Sequence, residues 1–516
     1  MLKWILLTLS LLIAPYGAAA PDIGSASFSE KSELLKAWLQ QEPEQAQRAI
    51  DLMLNGQLYY QRKTGELVIV EQHKSGSPAT RFEDGSNLVL DKKRNYKRVS
   101  LNNALRLELR QLNAQQQLAH PDSNVRLSAI QTLLTSLSAQ DRAVLQARLQ
   151  AESDPDVIEW IELGLASLDL STSDAPQAIQ TLSEGLSVEA MDALRQVPED
   201  SPYFTQARDA ISKIEQARAR YDTVETLYFG LSLGSVLVLA GIGLAITFGV
   251  MGVINMAHGE LIMLGAYTTF VIQQILPGQP GLALLLSIPA AFVVSGSVGI
   301  AIQRGVIRFL HGRPLETLLA TFGISLILQQ AVRTIFSPLN QTVVTPDWLA
   351  GSWQINAALS LTLNRLFVIG FCLVVFFALL ALLKRSALGL QVRAVSQNRS
   401  MAQAMGVRSE RVDAMTFGLG SGVAGLAGVA LSLLTNVGPN MGQAYIIDSF
   451  MVVVFGGVGS LWGTLVSGIS LGVANKLIEP WAGAVLAKIL VLVFLVLFIQ
   501  KNPRGLFPQR GRAAES

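Results

Sequence analysis

Apolar and polar positions fall into two regimes along this chain. From residue 226 onward, long apolar runs alternate with short polar connections. The runs at 226–253, 260–276, 282–302, 316–336, 364–383, 412–434 and 483–500 reach or approach the roughly 20 residues that a helix needs to cross a bilayer. A further apolar run, 446–478, is cut by Gly456, Gly457, Val458, Gly459 and Ser460 and is either one span or two short pieces. This pattern predicts an α-helical polytopic membrane domain of eight or nine passes over residues 222–507. Before it, charged residues are frequent, and apolar ones recur at helical spacing or in short runs.

The N-terminal regime divides further. Lys3, an apolar core at 4–13 and small residues at 17–20 predict a secretory signal over 1–19, cut between Ala19 and Ala20. Residues 20–221 are then an exported, mainly α domain. Helices are expected over 32–54, with Pro43 as a break. Short strand-like runs at 58–60, 67–70 and 88–90, separated by turns at 63–65, 75–78 and 84–85, predict a small antiparallel β meander. Helices return after Val99 with an internal repeat. Asp122, Val125, Ala129 and Leu133 are spaced as Asp154, Val157, Ile161 and Leu165, and the pentapeptide at 129–133 recurs at 178–182. The repeat resembles HEAT-like helical pairs, which stack to share a core. No Cys/His cluster, nucleophile elbow or phosphate loop occurs here, so the expectation is a binding or docking domain.

Polar residues in the apolar regime carry the candidate chemistry. Asn255, His258 and Glu260 lie between two apolar runs, in a stretch weakened by Gly249, Gly252, Gly259 and Gly265. An ionisable group at membrane depth is costly and faces protein or a water-filled path. A broken helix carrying polar groups marks a transport pathway. The alternative for each residue singly is a hydrogen-bonded tie between helices, with Glu260 starting a helix at the membrane surface. Gly418/Gly422, Ser421/Gly425, Ala424/Gly428, Gly459/Gly463 and Gly468/Gly472 recur at four-residue spacing, which lets helices approach closely in lipid. Within the spans, Arg333 and the flanking Glu260 are the conspicuous charges, which favours a neutral solute over a zwitterion that would want paired charges.

Charge placement sets orientation. Arg304, Arg308 and Arg313 share one connection, Lys384, Arg385, Arg393, Arg399, Arg408 and Arg411 another, and Lys501, Arg504, Arg510 and Arg512 the end of the chain, whereas residues 337–363 carry no Lys or Arg. The positive-inside rule puts the first three groups in the cytoplasm, including a tail at 508–516, and 337–363 outside. A cytoplasmic C-terminus after an exported N-domain requires an odd number of crossings, hence nine, with 456–460 as an elbow. The connection 386–407 is amphipathic, rich in Ala, Met and Arg, and stops at Gly406. It would lie on the membrane surface or dock into a partner's groove.

Composition agrees. Half of the 516 residues are hydrophobic, and the mean hydropathy of +0.39 is too high for an ordinary soluble enzyme. A net charge of +2 gives no reason to expect nucleic acid as a partner. One cysteine, Cys372, excludes an intrachain disulfide or a Cys-based metal site.

Three motifs occur in order: Asn255-Met256-Ala257-His258-Gly259-Glu260, the loop 394–406, and Phe455-Gly456-Gly457-Val458-Gly459-Ser460-Leu461-Trp462-Gly463. Together they resemble the permeases of branched-chain amino acid ABC importers over 226–507. The added signal and exported domain resemble the first permease of the urea ABC importer. The resemblance implies a transport subunit, not an enzyme, in the bacterial inner membrane, moving urea or, alternatively, branched-chain amino acids. It implies a second homologous permease, two cytoplasmic ABC ATPases that bind the ATP, and a periplasmic solute-binding protein, with no cofactor or metal held by this chain. Asn255, His258 and Glu260 would line the pathway. Arg393, Gln397, Ala402, Ala404 and Gly406 would contact an ATPase, and Gly456, Gly457 and Gly459 would break and pack the elbow. No G-x-x-x-x-G-K-[ST] loop is present to cradle a nucleotide phosphate. A ligand sensor would need an output domain after residue 500. A stand-alone channel would not need the amphipathic loop.

Overall fold

The structure, a computed structural model, describes residues 21–507 apart from 22, 25, 71, 72 and 311. The predicted signal at 1–19 and tail at 508–516 lie outside the described residues. Contacts divide the chain into two units, Met1–Gln216 and Ala217–Ser516, a few residues before the expected boundary.

The first unit opens with α1 (Phe28–Gln41) and α2 (Pro43–Leu54). Ser27 and Glu30 form a reciprocal cap at the start of α1, and Pro43 occupies the first position of α2, where its missing N–H costs nothing. A five-stranded antiparallel sheet follows, of order β4-β3-β2-β1-β5: β1 (Leu58–Gln61), β2 (Leu67–Ile69), β3 (Pro78–Arg81), β4 (Asn87–Val89) and β5 (Tyr96–Arg98). The expected meander is present but larger than its apolar runs indicate. β3 and β5 are short, polar and charged, and the hydrophobic pattern does not reveal them. Leu35, Ile50, Leu58 and Leu109 are fully buried in the core between α1, α2, the sheet and α3 (Asn103–Gln117).

Helices α4 (Ser123–Leu134), α5 (Asp141–Ala151), α6 (Pro155–Asp169), α7 (Ala175–Glu184) and α8 (Val188–Arg195) continue the unit. The repeat seen in the sequence has a structural basis. Asp122 and Asp154 both cap a helix, accepting from Asn124 N at 3.0 Å and Asp156 N at 3.1 Å, and Ala129 and Ile161 are both buried. Arg126 is buried by the same packing. Its Nε and Nη2 donate to both oxygens of Glu152, at 2.8 and 2.7 Å, and Nη1 donates to the His120 and Pro121 carbonyls. A buried guanidinium tolerates desolvation only when its donors are used in this way.

The second unit is helical. After α9 (Phe204–Met251) come α10 (His258–Ile275), α11 (Pro280–Gly305), α12 (Pro314–Phe336), a two-stranded hairpin of β6 (Ser352–Asn356) and β7 (Leu359–Thr362), and α13 (Leu363–Arg385). Then follow the short α14 (Ala387–Gln397) and α15 (Arg399–Ala404), and α16 (Ser409–Ser432), α17 (Met441–Gly456) and α18 (Leu461–Lys501). Six of these, α9, α11, α12, α13, α16 and α18, are long and apolar enough to cross a membrane, while α17 is apolar but shorter. α18 is two helical pieces joined at Gly483, whose φ of 77 is left-handed. The hairpin within 337–363 was not foreseen.

α16 is the axis of this unit and is enclosed by α9, α10 and α11. In lipid, helices gain little from excluding water, so close van der Waals packing must hold them. The spaced small residues provide that packing. A Cβ on Gly265 of α10 would stand 2.1 Å from the Gly425 carbonyl oxygen of α16, and one on Gly428 would stand 2.0 Å from the Ile262 oxygen. α18 makes the same kind of seam with α9, where a Cβ on Gly472 would lie 2.4 Å from Gly234 Cα.

Candidate functional site

The break expected in the polar stretch is real. α9 stops at Met251, Gly252 turns the chain with φ of +67, and the backbone stays non-helical until α10 begins at His258. Asn255 lies in the gap and its Oδ1 accepts the Ala257 N–H at 3.0 Å, replacing an acceptor that the broken helix lacks. His258 Nε2 lies 2.9 Å from the Ala240 carbonyl oxygen. A carbonyl only accepts, so Nε2 carries the proton and Nδ1 is left as an acceptor. Glu260 Oε1 accepts from Ser325 Oγ at 3.0 Å and from Gln329 Nε2 at 3.3 Å, both on α12. Nearby, Met256 N donates to Thr321 Oγ1 at 3.1 Å.

All three predicted pathway residues are buried, at 0%, 0% and 1% exposure. Each also keeps one polar atom with no partner among the described residues: Asn255 Nδ2, His258 Nδ1 and Glu260 Oε2. Buried polar atoms are nearly always satisfied, so three orphans within six residues mark a polar locus and not merely a tie. Glu260 is not at a helix end exposed to the surface. It is enclosed, and it ties α10 to α12 through its other oxygen.

The predicted coupling residues separate. Asn398 breaks the loop into α14 and α15 and caps the second, accepting from Met401 N at 2.9 Å. Ala402 points inward with Val392, Val395 and Val412, so it is no part of a docking surface. Its small size serves that packing instead. Arg393 is exposed, and its guanidinium donates back to the Leu383 carbonyl. Gln397, Ala404 and Gly406 are exposed, and Gly406 has φ of +86. Leu390, Met401 and Met405 are exposed beside them, at 63%, 60% and 79%. Arg399 anchors the loop to α16 by an ion pair with Asp413.

At the predicted elbow α17 ends at Gly456, and Gly459 has φ of +82. Gly457 has φ of +99, which favours glycine, and the backbones of Gly456 and Gly463 touch so closely that neither has room for a Cβ. Ser460 caps α18 through Gly463 N at 3.0 Å. Residues 506 and 507 return here, with Leu506 N donating to the Phe455 oxygen at 2.9 Å.

One group was missed. Asp448 of α17 and Lys488 of α18 form an ion pair at 3.1 Å inside apolar helices. The expectation that Arg333 and Glu260 are the conspicuous charges is therefore incomplete. The signal was present as a lone lysine in the run 483–500 and a lone acid in the first half of 446–478.

Comparison with known proteins supplies the context. A family model described as branched-chain amino acid transport system / permease component matches residues 226–499. The high-affinity branched-chain amino acid transport system permease protein BraD of Pseudomonas aeruginosa is 30% identical over 298 residues, covering 55% of this chain and 96% of that protein. Its LivH counterpart in Escherichia coli K12 is 29% identical over 296 residues, covering 55% and 94%. A probable branched-chain amino acid permease LivH of Methanocaldococcus jannaschii is 26% identical over 288 residues, covering 53% and 88%. No solved structure matches. The match takes in the broken helix with Asn255, His258 and Glu260, the α14–α15 loop and the glycine elbow, and on it the chain belongs to the family of branched-chain amino acid transport permease components.

Proposed function

We propose that this chain is the membrane permease subunit of an ATP-driven importer in a bacterial inner membrane, and that its solute is a branched-chain amino acid. The observation that carries the reading is the family match, which spans the helical unit and relates it to permeases named for that transport. In this reading the chain is not an enzyme. A second homologous permease completes the pore, two cytoplasmic ATPases supply the energy, and a periplasmic binding protein delivers solute. The exposed Leu390, Met401 and Met405 of the α14–α15 loop form the ATPase contact, with Ala404 and Gly406 allowing close approach. The arginine-rich connections are cytoplasmic and the first unit periplasmic, with nine crossings if α17 and both pieces of α18 each count once.

A second solute, urea, is favoured by one observation. The curated relatives are matched over nearly their whole length by about half of this chain, so their likeness does not account for the N-terminal unit. Uptake of radiolabelled leucine and urea by cells carrying the whole operon, with and without this gene, decides. Gene-dependent leucine uptake supports the first solute. Gene-dependent urea uptake at low concentration, with leucine unaffected, replaces it with the second.

A further inference from the structure

Between α9, α13, α16, α17 and α18 lies a cavity of about 260 Å³, distinct from the Asn255–Glu260 locus. Its walls differ in character. Leu233, Val236 and Leu237 of α9 with Leu431 and Leu434 at the end of α16 supply apolar lining. α13, α17 and α18 supply charged lining, three cations, Arg365, Lys476 and Lys488, and two carboxylates, Asp448 and Glu479.

Lys476 and Glu479 pair at 2.6 Å on one helix, Lys488 and Asp448 pair at 3.1 Å across two, and the Arg365 guanidinium stacks on the Phe229 ring at 4.3 Å. Both carboxylates are thus matched and one positive charge is left over. Asn475 also lines the cavity. It is 6% exposed, and its Oδ1 has no partner among the described residues. Lys488 is half-exposed in a stretch, 484–500, that is otherwise uncharged, a position that a charge holds only beside protein or water.

Resting on the amino-acid reading above, we propose that this cavity is a solute subsite for an aliphatic α-amino acid in its zwitterionic form. The surplus cation, with Lys488, receives the carboxylate. Asp448 and the free Asn475 oxygen receive the ammonium, which brings three donors and no acceptor. The leucine and valine wall receives the side chain. A volume below the drug-sized range of about 300–1,000 Å³ suits so small a solute. A structural tie alone explains the Asp448–Lys488 pair but not the orphan acceptor, the uncompensated cation or the apolar residues lining the same cavity.

The test uses vesicles carrying the complete transporter. Wild type, Asp448→Asn, Lys488→Met and Asn475→Leu are assayed for leucine uptake, with leucinamide and 4-methylpentanoate as competitors that each lack one charge. Loss of one charge-assisted contact is expected to raise the KM for leucine about ten-fold or more. Discrimination against 4-methylpentanoate should weaken in Asp448→Asn, and discrimination against leucinamide in Lys488→Met. Asn475→Leu leaves the ion pair intact, so a raised KM in that variant separates solute contact from misfolding. The exchanged pair, Asp448→Lys with Lys488→Asp, should restore assembly but not uptake. Unchanged KM and discrimination in all three single variants, or full recovery of uptake by the exchanged pair, overturns the subsite alone. Absence of leucine uptake in the wild type overturns the amino-acid reading and the subsite's ligand with it.

Discussion

Replacing Gly265 by alanine tests the packing argument at the axis of the helical unit. The added Cβ would stand 2.1 Å from the Gly425 oxygen and 2.5 Å from Gly425 Cα, both backbone atoms. Ordinary contact begins at 3.4 Å, so the helices must separate by about 1.3 Å, the difference between the two distances. α16 has nowhere to retreat, because a Cβ on Gly425 would itself lie 2.6 Å from the Ala291 oxygen of α11. Overpacking of this kind costs roughly 1–3 kcal/mol, and a rigid backbone neighbour puts it at the upper end. Alanine's better helix propensity returns about 0.5–1 kcal/mol, leaving a net loss of about 2 kcal/mol. The matched control is Gly323→Ala on α12, where the new Cβ meets nothing within 4 Å and only the propensity gain remains. Thermal unfolding in detergent should therefore separate the two, with Gly265→Ala melting well below wild type and Gly323→Ala at or above it. The same retreat would stretch the His258–Ala240 bond at the head of α10, so transport should fall further than stability. Equal melting of the two variants would refute the close-approach reasoning.

Two further outcomes follow from other parts of the molecule. In reconstituted transporter, Ala404→Glu should lower solute-stimulated ATP hydrolysis while the permeases still assemble, whereas Ala402→Glu, which buries a carboxylate against Val392 and Val412, should lower the amount of folded protein; identical phenotypes would count against the division of the loop into inner and outer faces. Glu152 is held well below its ordinary value of 4.5, chiefly by its hydrogen bond with Arg126. A carboxyl with a depressed folded-state pKa stabilises above its unfolded value and loses that contribution as pH falls below it. Hydrogen exchange on the full chain should show α4 and α5 losing protection as pH drops below about 4.5, and Glu152→Gln should already be less protected at pH 7 with a flatter pH response; an unchanged response in that variant would remove the ion pair from the account.

What the sequence revealed depended on how the information was encoded. Long apolar runs are redundant signals, so the spans at 282–302 and 364–383 correspond to α11 and α13 within a few residues, whereas the run at 226–253 is only the later part of α9, whose polar first half begins at Phe204. The repeat containing Asp122 and Asp154 was visible as a spacing, and the structure shows its cause, two helix caps in which the side chain fixes its own backbone. The strands β3 and β5 were not, because Pro78–Arg81 and Tyr96–Arg98 carry no alternating pattern. They exist because β2 and β1 offer unpaired edges to them. The inward turn of Ala402 was hidden for a related reason: the break at Asn398 rotates α15, and periodicity counted across a break fails.

The polar groups make a similar division. Asn255, His258 and Glu260 announced themselves by sitting together in sequence, whereas Asp448, Asn475 and Lys488 are far apart in the chain and converge only when α17 and α18 pack. The clustered set is closed, each residue bonded to its neighbours and excluded from water. The dispersed set lines a cavity. A permease that admits solute from one side must bind it first where space exists and then part the helices that close the path. Glu260 bonds α12 through one oxygen and its other has no partner among the described residues; on the proposed pathway, parting α10 from α12 would break two hydrogen bonds to a group that solute or water would then satisfy. A fully satisfied network at that point would resist opening, and an apolar one would offer a passing solute nothing.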